Sequence, residues 1–211
     1  LIAGIDRLGS INEALGHAAG DGILIESGRC LLAAVRSADC VARVAGNQFA
    51  ILTENIASPD VVFSLARRIQ DLLESPIEVD GRKVQISTSI GIVFSDEATA
   101  STPTDMLRCA TLAISRAKRL GDGRLEVFKP SMHDSAIERL NLEEEIRQGL
   151  DRGEFEPFLQ PIVSLSDGAI VSFEALLRWR HPNGKIQTPG SFLLAAEETG
   201  LSLPIGWSPL R

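Results

Sequence analysis

Arg36-Ser37-Ala38-Asp39 places a guanidinium and a carboxylate three residues apart. An arginine fork can grip a phosphate, or the acceptor atoms of a base, through two parallel N–H donors, while an aspartate accepts from N–H groups. An exposed ion pair at a helix end is the plainer explanation of the same residues. Further along, Glu174, Leu176 and Arg178 alternate with Ala175, Leu177 and Trp179 in a β-rich run. Alternate side chains of a strand share a face, so Glu174 and Arg178 project together and one face carries the chemistry. A surface Glu–Arg pair is again the plainer alternative. A third group, Asn12, Gly16, His17, Gly20 and Asp21, leads into an apolar-periodic run, where Asn12 fits a turn and Asp21 a helix N-cap.

These groups need a scaffold, and the hydrophobic spacing supplies one. Ala3 to Asp6 reads as the end of a strand, and Ile23, Leu24, Leu31, Leu32 and Val35 fall at helical spacing. Cys40 to Val44 and Phe49 to Thr53 are short β-rich runs joined by Ala45-Gly46-Asn47-Gln48, which predicts a hairpin with its tip at 45–48. Pro59 opens a helix with Val62, Leu65, Ile69 and Leu72 on one face, stopped by Ser75-Pro76. Ile77 to Val79 and Val84 to Phe94 flank an Asp80-Gly81 turn, with Val84, Ile86, Thr88, Ile90, Ile92 and Phe94 on one face. A helix over 104–120 carries Leu107, Ala110, Ile114 and Ala117 inward, before a strand at Leu125 to Phe128. This order predicts an α/β (α+β) domain over 1–130, a central sheet flanked by helices.

Residues 131–153 form an expected connecting helix, with Ile137, Leu140, Ile146 and Leu150 set among many charges. A second domain follows at 154–211. It opens with two longer β-rich runs, Phe155 to Leu165 and Ala169 to Trp179, separated by Ser166-Asp167-Gly168, and then a helix from Pro189 to Glu198 that stops at Gly200.

The chain has 211 residues, enough for one complete domain and part of another, and it reads as cut at both ends. Apolar residues make up 44% and charged residues 23%, as in a chain that buries a core. The net charge of −7 argues against nucleic acid as a partner, because phosphate backbones need a summed positive field. It leaves room for a nucleotide pocket built from a few local cations. No apolar run is long enough to span a membrane, so no membrane contact is expected of this stretch, and any membrane attachment of the parent protein is left to regions outside it. The three cysteines, Cys30, Cys40 and Cys109, match no metal or disulfide pattern and are expected to be small buried groups in a reducing cytoplasm.

The span Ile5 to Asp21 resembles the opening motif of diguanylate cyclase (GGDEF) domains, through the spacing of Asn12, Gly16, His17, Gly20 and Asp21. Ala45-Gly46-Asn47-Gln48-Phe49 takes the position of that family's signature hairpin, and Ser89-Ile90-Gly91-Ile92 and Ala117-Lys118 match later landmarks. The resemblance implies a cyclase that holds two magnesium ions with anionic oxygens. Here the matching positions are Gly4, Asn47 and Gln48, so all three acids are missing. No cyclase activity and no metal are therefore expected in this degenerate domain. The resemblance also implies guanine recognition by Asn12 and Asp21, phosphate binding by Lys118 with Asp122 where the family has a base, and an inhibitory product site at Arg36 and Asp39 with Arg67 as a second cation.

Phe158-Leu159-Gln160-Pro161-Ile162-Val163 and Phe173-Glu174-Ala175-Leu176-Leu177-Arg178-Trp179-Arg180-His181-Pro182 resemble the start of EAL phosphodiesterase domains. That family implies a (β/α)8-type barrel in which Glu174 is a metal ligand for magnesium or manganese, Arg178 grips a phosphate and Gln160 lies in the same pocket. A whole barrel needs about 250 residues, so this stretch alone is expected to be inactive.

Together the resemblances imply a bacterial cyclic-di-GMP signalling protein. Its first domain is expected to bind GTP or cyclic-di-GMP, or to form a homodimer, and so to regulate an attached phosphodiesterase. The alternative is a receptor or scaffold in which both domains are catalytically dead, and an active cyclase is a third.

Overall fold

The computed structural model describes residues 1–79, 81–95 and 102–207. In chain order its elements begin with β1 (Ile2–Ile5), α1 (Leu8–Leu15), α2 (His17–Ala34), β2 (Cys40–Ala45), β3 (Gln48–Leu52) and α3 (Pro59–Glu74). They continue with β4 (Ile77–Val79), β5 (Arg82–Val84), β6 (Thr88–Ile92), α4 (Pro103–Arg119), β7 (Leu125–Val127) and α5 (Ser131–Asp151). After α5 come β8 (Phe155–Val163), β9 (Ile170–Arg180), β10 (Ile186–Gln187), a 3₁₀ turn at Pro189–Ser191, α6 (Leu193–Glu198) and α7 (Ser202–Trp207). The chain divides into two compact units, Leu1–His133 and Asp134–Arg211.

Every residue of β1 and β6 is buried, and strands with no polar face have to lie inside a sheet covered on both sides. They do, in a five-stranded sheet of order β2-β3-β1-β6-β7. β1 runs antiparallel to both β3 and β6, β2 and β3 form the expected hairpin, and β6 runs parallel to β7. The continuous strand expected from Val84 to Phe94 is broken at 85–87, leaving β5 to pair with β4 in a separate ribbon. Asp80 of the expected turn lies outside the described residues.

The helices present slightly different faces from those the spacing suggests. On α3 the buried residues are Val62, Leu65, Ala66, Ile69 and Leu73, whereas Leu72 is exposed. Leu73 continues the i, i+4, i+7, i+11 row from Val62, and Leu72 lies about 100° around the helix from it. On α4, Cys109, Ala110, Ala113, Ile114 and Ala117 face inward, and Leu107 is exposed. α4 sits directly on β6, where a Cβ at Gly91 would come within 2.4 Å of the Ala110 carbonyl and the Ile114 amide. Among the cysteines only Cys109 is buried, and Cys40 is exposed on β2.

In the second unit β8 and β9 pair antiparallel along nearly their whole length, with β10 on the outer side of β9. Its core gathers Ile146, Phe155, Trp179, Phe192, Ala195, Ala196 and Ile205. Trp179 is fully buried, stacked on Phe155 at 5.1 Å and bonded through Nε1 to Glu154 at 3.0 Å. Only the C-terminal half of α5 is amphipathic in practice: Ile146 is buried, whereas Ile137 and Leu140 are exposed. No described helix is long and apolar enough to cross a membrane.

Candidate functional site

The β2–β3 tip turns at Gly46-Asn47, with Gly46 at φ 28°. Arg43 Nε closes the turn by donating to the Gly46 carbonyl at 2.9 Å. Asn47 binds the end of β1 twice, donating from Nδ2 to the Ile5 carbonyl at 2.5 Å and accepting from the Ile5 amide on its own backbone carbonyl at 3.0 Å. Next to it, Gln48 stands opposite Gly4 in the β1–β3 register. Gly4 in turn lies under α4, and a Cβ there would come within 2.8 Å of Ile114 Cδ1 and 3.1 Å of Lys118 Nζ. Gly4, Asn47, Gln48 and Lys118, which are far apart in sequence, therefore meet at one end of the sheet. They bring to it two amides and an ammonium, and no carboxylate.

The carboxylate nearest in sequence, Asp6, gives one oxygen to the framework, while its Oδ1 is buried with no hydrogen-bond partner among the described residues. It is 4% exposed, and its Oδ2 accepts from Ser87 Oγ at 3.1 Å, Ser89 Oγ at 3.0 Å and the Gly123 amide at 2.9 Å. Asp122 is ion-paired with Arg7, so the acid standing where a base was expected has a cation of its own. The magnesium ions that the resemblance implies do not fit the residues present: the donors at 47 and 48 are neutral, and an ammonium fills the space beside Gly4.

Asn12 is not in the turn that its spacing suggested but within α1, where its side-chain oxygen lies against Gly20 of α2. Any side chain at position 20 would have to displace the Asn12 amide. Asn12 Oδ1 is buried and has no hydrogen-bond partner among the described residues. Asp21 is not the cap that its position before the apolar run suggested. α2 begins at His17 with Gly16 as its cap, so Asp21 is in the second turn, exposed and without an ion pair among the described residues.

Arg36 and Asp39 follow the end of α2 and do not pair through their charges. Asp39 Oδ2 accepts from the Arg36 backbone amide at 2.9 Å, and the Asp39 amide donates to the Arg36 carbonyl at 3.0 Å, which leaves the guanidinium available. Both residues line a cavity of about 370 Å³ with Glu54, Asp60 and Arg68. Arg67 is exposed and is not among the lining residues; its neighbour Arg68 faces the cavity and donates to the Ala34 carbonyl. Reasoning from sequence missed Arg68. The signal was the period of α3, since 65 and 68 are three apart and Leu65 lines the same cavity.

On the second unit Gln160 stands directly opposite Glu174, and Glu156 opposite Arg178. Glu174 is exposed and forms no ion pair among the described residues, so it does not pair with Arg178. The Arg178 guanidinium donates to the Leu177 carbonyl at 2.7 Å and lies 5.8 Å from the centre of the Phe158 ring. Arg180 covers the same ring and donates to Glu156 at 2.6 Å. Among the described residues no cluster of three or more acidic, histidine or cysteine side chains is poised for a metal. One carboxylate facing one amide is too few oxygens for magnesium or manganese. Glu198, near the end of α6, is ion-paired with Arg139, a structural use of its charge.

Comparison with known proteins places both units. The diguanylate cyclase GGDEF domain profile matches residues 1–124, and the EAL domain profile matches residues 143–207. The bifunctional diguanylate cyclase/cyclic di-GMP phosphodiesterase MucR of Pseudomonas aeruginosa is 35% identical over 98% of this chain and 30% of its own length. The cyclic di-GMP phosphodiesterase NbdA of the same organism is 31% identical over 93% of the chain and 25% of its own length. The chain thus spans between a quarter and a third of these relatives. Among solved structures, the GGDEF domain of PA1120 (YfiN or TpbB) from P. aeruginosa superposes with a TM-score of 0.58 and 34% identity, covering 61% of this chain and 80% of that one.

Proposed function

The chain belongs to the GGDEF diguanylate cyclase domain family and runs on into an EAL segment, and from that premise we propose that it is part of a cyclic-di-GMP signalling protein whose GGDEF domain does not make the nucleotide but senses it or its precursor. In this reading the first unit binds GTP or cyclic-di-GMP and thereby sets the activity of an attached EAL phosphodiesterase, with α5 as the connecting element. The observation that carries the proposal is the meeting of Gly4, Asn47, Gln48 and Lys118 without one carboxylate. Two-metal activation of a ribose hydroxyl needs anionic oxygens to hold the ions, and amides supply no charge.

Binding groups remain where chemistry does not. Asp21 is exposed and has no ion pair among the described residues, and Asp39 bonds to the Arg36 backbone rather than to its guanidinium. Exposed Glu174, with Gln160 opposite, keeps a ligand available to an EAL site whose other residues lie outside this chain.

Titration calorimetry of the chain with GTP and, separately, cyclic-di-GMP tests the proposal. Saturable heat is expected with at least one nucleotide. Asp21→Ala should abolish the GTP signal and leave cyclic-di-GMP, and Arg36→Ala should do the reverse. No heat with either would leave the scaffold reading, in which protein contacts alone carry the signal.

A further inference from the structure

We infer that the first unit carries a second ligand site, a cavity between α1 and residues 85–87 that takes an aliphatic diamine on Asp6 and Glu74. It goes beyond the nucleotide-binding reading and does not depend on it.

The cavity is found where the expected long strand is broken. Residues 85–87, which leave β5 before β6 begins, and one side of α1 together line a space of about 780 Å³. None of the residues assigned to nucleotide binding, Asn12, Asp21, Arg36, Asp39 or Lys118, lines it.

Its charges do not balance. Asp6, Glu74 and Asp122 line the cavity with a single cation, Arg7, and that guanidinium is paired with Asp122. Asp6 is 4% exposed, and Ser87, Ser89 and the Gly123 amide all donate to its Oδ2, which leaves Oδ1 buried with no partner among the described residues. A buried carboxylate oxygen without a donor is costly, and a cation that supplies one is held the more firmly away from bulk water. Glu74, at the end of α3, is exposed and forms no ion pair among the described residues.

The placing of these two acids selects the ligand. Asp6 follows β1 and Glu74 closes α3, and among the described residues no three acidic, histidine or cysteine groups are placed to share a metal ion. A magnesium ion needs about six oxygens around one point, whereas two separated carboxylates suit two ammonium groups joined by a chain. Ile11, Ala14 and Leu15 of α1 line the same space and give the methylene groups of that chain an apolar wall.

Calorimetric titration of the whole chain with 1,4-diaminobutane is the test. Saturable binding is expected, about tenfold or more tighter than that of butylamine, which has the same hydrocarbon and one charge fewer. Asp6→Asn keeps an oxygen for Ser87, Ser89 and Gly123 while removing the charge, and should weaken diamine binding by about tenfold or more. Glu74→Gln should do the same, and because Glu74 is exposed it keeps the test decisive should Asp6→Asn fail to fold, which circular dichroism would reveal. Glu145→Gln makes the same charge change at an exposed position of the other unit and should leave binding as it was. No saturable heat, equal binding of butylamine, or an equal loss in Glu145→Gln, which would mark a general attraction to a chain of net charge −7, would each overturn the inference.

Discussion

At the β2–β3 tip the Asn47 amide is bonded to the Ile5 carbonyl and Lys118 lies over Gly4, whereas on β8 and β9 Glu174 and Gln160 face each other exposed and uncommitted. In the first region polar side chains serve as internal ties. In the second the acidic group is exposed and forms no ion pair among the described residues. A polar side chain inside a packed sheet is held to satisfying the backbone beside it, because a buried carbonyl without a donor costs free energy. On an exposed strand face water satisfies the side chain and no such tie is needed.

The largest expected effect separates the two regions by stability. Trp179→Ala removes a fully buried ring packed on Phe155 and Phe192, and should destabilise the second unit by about 3–5 kcal/mol. Hydrogen exchange should show faster opening of β8 and β9 with β1 and β6 unchanged; equal acceleration in both would break the independence of the two regions.

Asn47→Asp sharpens the claim that the amide is structural. An aspartate cannot donate to the Ile5 carbonyl and sets a negative charge against it, so denaturant unfolding of the first unit should register a loss of about 1–3 kcal/mol. A stability at or above that of the unmodified chain would show that the amide is no tie.

A smaller, pH-dependent effect belongs to the second region. The hydrogen bond from Arg152, with a further one from Trp179 Nε1, holds the Glu154 carboxyl below the usual carboxylate range. A group with a lowered folded pKa stabilises above its unfolded value and loses that contribution as pH falls through the folded one. The unmodified chain should thus lose stability on acidification below about pH 4, and Glu154→Gln should flatten that part of the profile. An identical acid profile in the variant would remove Glu154 from the account.

Least of all should follow from Glu174→Gln. The side chain is exposed and forms no ion pair among the described residues, so the stability of the chain should shift by no more than about 0.5 kcal/mol, the scale of ordinary surface changes. A larger loss would mean that the carboxylate holds the sheet together and is not held in reserve.

The sequence made the sheet and the hairpin tip legible, since β-rich runs around Gly46-Asn47 leave few other arrangements. Helix faces were less so: Leu72 and Leu73 are both apolar, and only packing against the sheet decides which turns inward. The same one-residue ambiguity hid Arg68 behind Arg67. Asp21 was displaced from its expected cap because α2 starts a turn earlier, at a glycine with φ 86° that marks the α1–α2 break. Gly4, Asn47 and Gln48 could be read from one strand and one turn, but Lys118 over Gly4 depends on how closely α4 settles on β1 and β6. That approach is set by Gly91, which the sequence marks only as a landmark of the resemblance and not as a contact with α4.

The most direct test of the central claim is to incubate the chain with GTP and magnesium, and then with manganese, and to assay chromatographically for cyclic-di-GMP. The account predicts no product above a protein-free control under conditions where GTP binding is measurable. Steady, enzyme-dependent formation of cyclic-di-GMP would contradict it.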